Sequence, residues 1–209
     1  MSSDALIRDF SGLSTTVIGD NLDRLRGAVG LRPLHGSKSV VGRAFTVQTR
    51  PGDNLFVHLS LDLAKPGDII VVDGGGLETG ALIGEIMMRY AQSKGIAGFV
   101  IDGAVRDAAA FIEAEFPCFA RSTSNRGPHK NGPGTVRQPI SVGGMPVQQG
   151  DIIVGDVDGV VAIRPDEAEH VLKQSTQQLV KERQLLEDIA EGRFDRRWLA
   201  ELIELHGER

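Results

Sequence analysis

The sequence predicts an α/β domain, a multi-strand sheet interleaved with helices, on three observations. Apolar, β-branched runs at 40–47, 69–73 and 97–101 have the length and composition of buried strands. Residues between them recur at helical spacing. Glycine is abundant, at 26 of 209 residues, and aromatics are scarce at 5%, which suits a turn-rich chain with many close backbone approaches. That length allows one sizeable core and is short for two full domains, so we divide the chain into an α/β domain over 1–164 and a helical extension over 165–209.

In chain order, residues 4–27 read as a helical entry: Leu6, Ile7, Phe10 and Leu13, a cap at Ser14, Thr15 and Thr16, then a second helix from Val17 to Leu25. Asp20 and Asn21 either line a cleft or lie on a solvated helix face. The strand Val40–Val47 precedes a helix over Asn54–Leu63 and a turn at Pro66, Gly67 and Asp68. Strand Ile69–Asp73 then runs into Gly74, Gly75 and Gly76, read as a turn, and into a helix from about Ala81 whose Ile83, Ile86, Met87 and Tyr90 bury one face. Met87 and Met88 read as core filler. Strand Ala97–Ile101 follows, ended by the common turn dipeptide Asp102-Gly103.

Residues 121–139 read as a mobile surface loop, either a connector or a lid. Further strands lie at Ile140–Val142 and within 151–163, with turn signals at Gly143-Gly144 and Asp158-Gly159. The stretch Pro165 to Glu169 carries an N-cap and a reciprocal acid, opening a helix to about Glu191-Gly192. Along it Ala168, Leu172, Ser175, Leu179, Glu182, Leu186 and Ile189 follow steps of four and three, the spacing of a helix seam. Glu182 either interrupts that seam with a carboxylate or lies wet on the edge of a drifted stripe, beside Lys181 and Arg183. Phe194, Trp198, Leu199, Leu202 and Ile203 supply apolar residues for docking on the body or on a neighbour.

The chemistry concentrates at two strand ends. A strand left through three glycines lets backbone approach a ligand closely, and the helix after it begins with unpaired amides that suit a carboxylate or phosphate. Arg106 and Asp107, just past the 97–101 strand, pair a guanidinium that can clamp an anion with a hard oxygen suited to Mg²⁺ or Mn²⁺. Singly these features also read as an ordinary turn and a helix-start acid; together they read as an anion-plus-metal site.

Other chemistries fit poorly. The formal charge of −5 argues against nucleic acid, and no basic patch interleaved with aromatics occurs. Cys118 is the sole cysteine, so no intrachain disulfide forms, and a buried thiol is expected. No stretch approaches about 18 uninterrupted apolar residues and the amino terminus lacks a secretory pattern, so a soluble, cytoplasmic protein without membrane partners is expected. The five histidines lack the close pairing of a zinc helix. Residues 74–80 match neither the dinucleotide fingerprint nor the lysine-bearing phosphate loop, and the lysines sit in polar surroundings unsuited to Schiff-base chemistry.

The strings Gly80 to Met87 and Gly98 to Asp107, with Pro51 to Leu55, Lys65 to Asp68 and Gly150 to Val161, resemble the 4-hydroxy-4-methyl-2-oxoglutarate aldolases, which share a superfamily with the regulators of ribonuclease activity A. The resemblance implies a layered β/β/α domain with a long C-terminal helical extension, assembled as a trimer or hexamer with sites at subunit interfaces. It implies that the segment Gly84, Glu85, Ile86 and Met87 presents amides to a pyruvate carboxylate, and that Arg106 contacts the same substrate and steadies its enolate. Asp107 would hold the divalent metal directly. Glu85, where the family usually has Asp, would reach it through water. Glu182 falls where a neighbouring subunit donates an acid toward the metal site.

The expectation is therefore a Mg²⁺- or Mn²⁺-dependent lyase that releases pyruvate from a 4-hydroxy-2-oxo acid, with oxaloacetate decarboxylation as a companion activity. The competing expectation is a non-catalytic regulator that binds a ribonuclease or another protein.

Overall fold

A computed structural model describes residues 3–207. The chain runs α1 (Ser3–Asp9), a 3₁₀ turn (Phe10–Gly12), α2 (Thr15–Asp20), β1 (Arg32–Pro33), β2 (Val40–Thr49), α3 (Leu55–Leu63), β3 (Asp68–Ile83), α4 (Glu85–Ser93), β4 (Gly98–Val105) and α5 (Ala108–Glu113). It continues through β5 (Cys118–Thr123), β6 (Gly134–Val136), β7 (Ile140–Val142), β8 (Met145–Val147), β9 (Ile152–Asp156), β10 (Gly159–Ile163), α6 (Ala168–Ala190) and α7 (Arg197–His206).

The main sheet has the order β1-β5-β4-β3-β2-β9-β10, with β6 added beside β2. Strands β2, β3, β4 and β5 are mutually parallel, flanked by antiparallel β1 on one side and the β9–β10 hairpin on the other. Alternation along β3 builds two cores from one strand: Ile70 and Val72 face one cluster, Ile69 and Val71 the other. The first cluster is closed by helices α3, α4 and α5 through Val57, Leu61, Met88 and Phe111. The second is closed by the β7–β8 hairpin through Ile140, Val142, Met145 and Val147. A helical layer, a sheet and a small second sheet result, the β/β/α layering expected. Each fully buried aromatic in it, such as Phe99, contributes on the order of 2–3 kcal/mol.

A third cluster packs α1, α2 and the first half of α6 on the β9–β10 hairpin, through Phe10, Ile18, Ile152, Val161, Ala168 and Val171. Asp156, at the end of β9, fastens α2: its carboxylate accepts from the Thr15 amide (2.7 Å) and the Thr15 hydroxyl (2.6 Å). Ser14 caps that helix through the Val17 amide, as the sequence predicts.

Several boundaries move. Helix α2 ends at Asp20 rather than Leu25, because Asp23 and Arg24 take positive φ and leave Leu25 almost wholly exposed. Gly74–Ile83 is not turn and helix but a continuation of β3, bulged where Gly75 and Gly76 take φ of +67° and +69°, and re-paired with β4 at Leu77, Ala81 and Ile83. Helix α4 begins at Glu85; Ile86 is 82% exposed and Tyr90 half-exposed, so its buried face is Met87, Met88 and Ala91. Asp102 and Gly103 lie inside β4, where the buried Asp102 carboxylate accepts from the Arg121 guanidinium and the Gly143 amide. Glu167 does not cap α6 with its side chain; its carboxylate is drawn to Arg26 and to the Arg164 amide.

Candidate active site at the strand ends

Ligand crevices in parallel sheets open beyond the carboxyl ends of the strands. Here β3 and β4 end together at Ile83 and Val105, tied by the Arg106 amide on the Ile83 carbonyl (3.0 Å). Of the residues that follow, Gly84 and Arg106 line a cleft of about 230 Å³, and Asp107 packs against Gly84 at its edge.

Gly84 is extended, with φ −154°, so its lack of a side chain serves space rather than backbone freedom. A Cβ there would lie 2.8 Å from Arg106 Cγ and 3.0 Å from Arg106 Nε, and closer still to an Asp107 carboxylate oxygen. Arg106 and Asp107 are thus packed directly against the Gly84 backbone. Asp107 Oδ2 accepts the Glu85 amide (3.0 Å) and stands 3.7 Å from Arg106 Nε. Asp107 itself adopts φ +56°, ψ +39°, a left-handed conformation uncommon outside glycine and a mark of a position held by its surroundings. Both side chains remain a little under half exposed, open to a ligand.

The first-turn amides of α4 have no intrahelical acceptors. That of Glu85 is occupied by Asp107, while the next two belong to Ile86 and Met87, which line the cleft with Gly84 and Arg106. A carboxylate between these amides and Arg106 would meet the positive end of the helix and a guanidinium at once. Of the four segment residues singled out in sequence, Gly84, Ile86 and Met87 line the cleft. Glu85 turns outward, its Oε1 3.3 Å from Arg89 Nε one turn along α4.

The opposite wall draws on the 122–134 loop, the segment expected to carry substrate specificity, and on Asn54 and His58, to which the sequence alone assigns no role. Asn54, His58, Gly127, Pro128 and Lys130 complete the lining, the last three from the segment read as a mobile loop. That segment is tied down at both ends. The Ala81 amide donates to Arg126 O (2.9 Å), His129 N–H to Gly52 O (2.8 Å), and Asn54 N–H to His129 O (2.9 Å). The buried Asp53 carboxylate accepts from the Asn131 and Gly132 amides (2.7 and 3.0 Å). Burial, the nearby Lys130 charge second, holds His58 below the usual imidazole range against the opposing pull of Asp62, leaving Arg106 and Lys130 as the cations of the cleft at neutral pH. The sequence signal for Asn54 in this wall is the string Pro51 to Leu55, which the chain shares with the family it resembles.

Glu182 is not among the residues lining this cleft. It lies on α6, partly buried, accepting from Gln178 Nε2 (2.8 Å), which also donates to Asp20 Oδ2 (2.9 Å) while its Oε1 accepts from Asn21 (2.8 Å). Asp20 and Asn21 therefore face α6. A single chain gathers Arg106, Asp107, Gly84, Ile86 and Met87, and leaves Glu182 in a separate polar cluster.

Among the described residues no group of three or more His, Cys, Asp or Glu side chains gathers to cage a metal. The donors available, Asp107 and the neighbouring Glu85, are hard oxygens. One or two carboxylates suit an ion such as Mg²⁺ that keeps most of its water, so the residues fit a hard, largely hydrated cation. Among the described residues no helix is long and apolar enough to cross a membrane. Cys118 is fully buried, and burial pushes its thiol far above the usual range.

A parallel sheet whose strand ends carry an arginine, a carboxylate and helix-start amides around a small cleft defines an α/β protein with a candidate anion site. The aldolase/RraA family model, described as RraA-like, matches residues 15–162, and the chain belongs to that family. A Halalkalibacterium halodurans protein, provisionally named a 4-hydroxy-4-methyl-2-oxoglutarate aldolase, is 44% identical over 170 residues, 81% of each chain. Two solved structures share the fold: an uncharacterized protein of Pseudomonas syringae (29% identity, TM-score 0.84, 91% of this chain and 90% of that one) and the RNA-processing inhibitor RraA of Thermus thermophilus (30%, 0.66, 72% and 92%). Helices α6 and α7 lie beyond the family match.

Proposed function

We propose that this protein is a divalent-metal-dependent lyase that cleaves a 4-hydroxy-2-oxo acid to release pyruvate, and that it also decarboxylates oxaloacetate. The aldolase names of its relatives support the lyase class. The observation that carries the reading is Gly84: with no room for a Cβ, it packs Arg106 and Asp107 beside the first turn of α4.

The substrate's 2-oxo acid end binds with its carboxylate on the Ile86 and Met87 amides and its 2-oxo oxygen toward Arg106. Cleavage removes the proton of the 4-hydroxyl, its electrons form the new carbonyl, the C3–C4 bond breaks, and its electron pair becomes the enolate of pyruvate. Arg106 meets the negative charge as it develops on the enolate oxygen, the largest single contribution such sites make. In decarboxylation the same enolate forms as CO₂ leaves, and a proton then returns to C3. Asp107, with Glu85 through water, would hold Mg²⁺ or Mn²⁺, which when bound supplies Lewis-acid polarisation of the 2-oxo group. Glu182, donated by a neighbouring subunit, would take the hydroxyl proton and return it to the enolate. The exposed apolar residues Val180, Leu186, Ile189, Trp198 and Leu202 on α6 and α7 support a homotrimer or homohexamer that brings such a neighbour close.

A second reading, a regulator that binds a ribonuclease, is favoured by the likeness to the named RNA-processing inhibitor. One experiment separates the two. Chelator-stripped protein is given oxaloacetate or 4-hydroxy-4-methyl-2-oxoglutarate, with and without Mg²⁺ or Mn²⁺, and pyruvate is followed through lactate dehydrogenase. Metal-dependent release is expected; no release from either acid would favour the regulator.

A further inference from the structure

The residue that organises the far wall of the cleft never touches the cleft. Asp53 is fully buried, yet its carboxylate is one of the most heavily used acceptors in the chain. Oδ1 takes the Leu55 amide (3.0 Å) at the start of α3. Oδ2 takes the Asn131 and Gly132 amides, with Arg50 Nη2 at 3.3 Å. Its own carbonyl accepts the Thr49 hydroxyl (2.8 Å). Asp53 thus joins the end of β2 through its carbonyl, and the start of α3 and the 126–132 turn through its carboxylate.

What that turn delivers is chemical. Gly127, Pro128 and Lys130 enter the lining of the Arg106 cleft, and a Cβ on Gly127 would lie 3.3 Å from Arg106 Nη1, so the turn sits against the guanidinium itself. Next to Asp53, Asn54 is 2% exposed and lines the same cleft; its amide donates to Leu82 O (2.9 Å) while its Oδ1 has no partner. A buried acceptor repels a carboxylate, so a second anion in this cleft must be met by its cations. Arg106 supplies one positive charge to the cleft and Lys130 a second.

We propose that Asp53 is a positioning residue for substrate selection: by holding the 126–132 turn it fixes Lys130 in the cleft and creates the preference for acids that carry a second carboxylate. The inference rests on the 2-oxo acid reading of the site, but not on turnover. Asp53 contacts no substrate and acts through the turn.

The test is calorimetric binding of two stable acids to the full-length, Mg²⁺-loaded protein: 2-oxoglutarate, with two carboxylates, and pyruvate, with one. The wild type is expected to bind 2-oxoglutarate more tightly. Lys130→Met is expected to weaken 2-oxoglutarate about tenfold, the scale of one charge-assisted hydrogen bond, and to leave pyruvate within twofold. Asp53→Asn turns an NH₂ toward the Asn131 and Gly132 amides and is expected to reproduce that selective loss. The double variant should be no worse than Lys130→Met alone, since both remove one interaction. Gly132→Ala strains the same turn at φ +67° without altering Asp53 and should act alike, which keeps the test valid if Asp53→Asn does not fold. Equal weakening of both acids in the turn variants, or additivity with Lys130→Met, would overturn the proposal. If binding is selective in this way while no pyruvate is released from any acid, the cleavage reading fails and the role of Asp53 stands.

Discussion

The substitution Gly84→Ala isolates the site's geometry from its chemistry. It removes no functional group, and the backbone at Gly84 is one that alanine adopts freely, so its whole effect is steric. The new methyl carbon would lie 2.8 Å from Arg106 Cγ, whereas ordinary contact begins near 3.4 Å. Arg106 must therefore retreat by about 0.6 Å, and the Asp107 carboxylate by more. Displacements approaching 1 Å at a reacting centre can cost about a hundredfold in rate. Both side chains are nearly half exposed and can yield into solvent, so stability should change by less than about 1 kcal/mol. The assay is steady-state pyruvate release beside a thermal melt, with Gly80→Ala as the control, since a Cβ there meets nothing nearer than 3.9 Å. A kcat/KM reduced about a hundredfold at unchanged melting temperature is expected for Gly84→Ala alone. Wild-type turnover in that variant would refute the claim that Arg106 and Asp107 work from the positions seen here.

Arg106→Ala and Asp107→Ala should each abolish pyruvate release, while circular dichroism and melting temperature stay near wild type; near-normal turnover in either would remove it from the site. Arg106→Lys should recover little, because a point charge does not reproduce the guanidinium fork. Burial opposes ionisation of Asp53, but hydrogen bonds from the Leu55, Asn131 and Gly132 amides and the Arg50 charge prevail and hold it below the usual carboxylate range. Its contribution to stability is thus complete above the unfolded pKa of about 3.9 and is lost as pH falls through the lower folded value. Urea melts should show the gap between wild type and Asp53→Asn narrowing as pH falls below about 4; a gap that widens there would contradict the sign. The Cys118 thiol, pushed up by burial, should resist a thiol reagent in native protein and react fully in denaturant.

Strands were readable where local signal and tertiary outcome agree. The runs at 40–47, 69–73 and 97–101 all fall in parallel strands, because β-branched residues buried on both faces write themselves into composition. The predicted helices over 54–63 and to about 191 match α3 and α6 closely. Gly74 to Ile83 misled, since three glycines carry no local instruction to bulge; the pairing of Leu77 with Gly103 is a tertiary fact. Asp102-Gly103 misled similarly, its turn propensity overridden by Arg121 and Gly143. At the site, Arg106 and Asp107 were legible from their place after a strand. Lys130 and His58 were not, because nothing local to 126–132 announces a carboxylate at position 53 waiting to bind its amides. Glu182 stands apart from the cleft in one chain, and no single sequence encodes where a neighbouring copy sits.

The central claim is that Arg106 and Asp107, beside the first turn of α4, stabilise a pyruvate enolate. Its most direct measurement is proton NMR of pyruvate in D₂O with the Mg²⁺-loaded protein, following loss of the methyl signal, which needs no knowledge of the physiological substrate. The account predicts metal-dependent exchange by the wild type that vanishes in Arg106→Ala. Exchange that persists in that variant, or a wild type that binds pyruvate without exchanging it, would contradict the account.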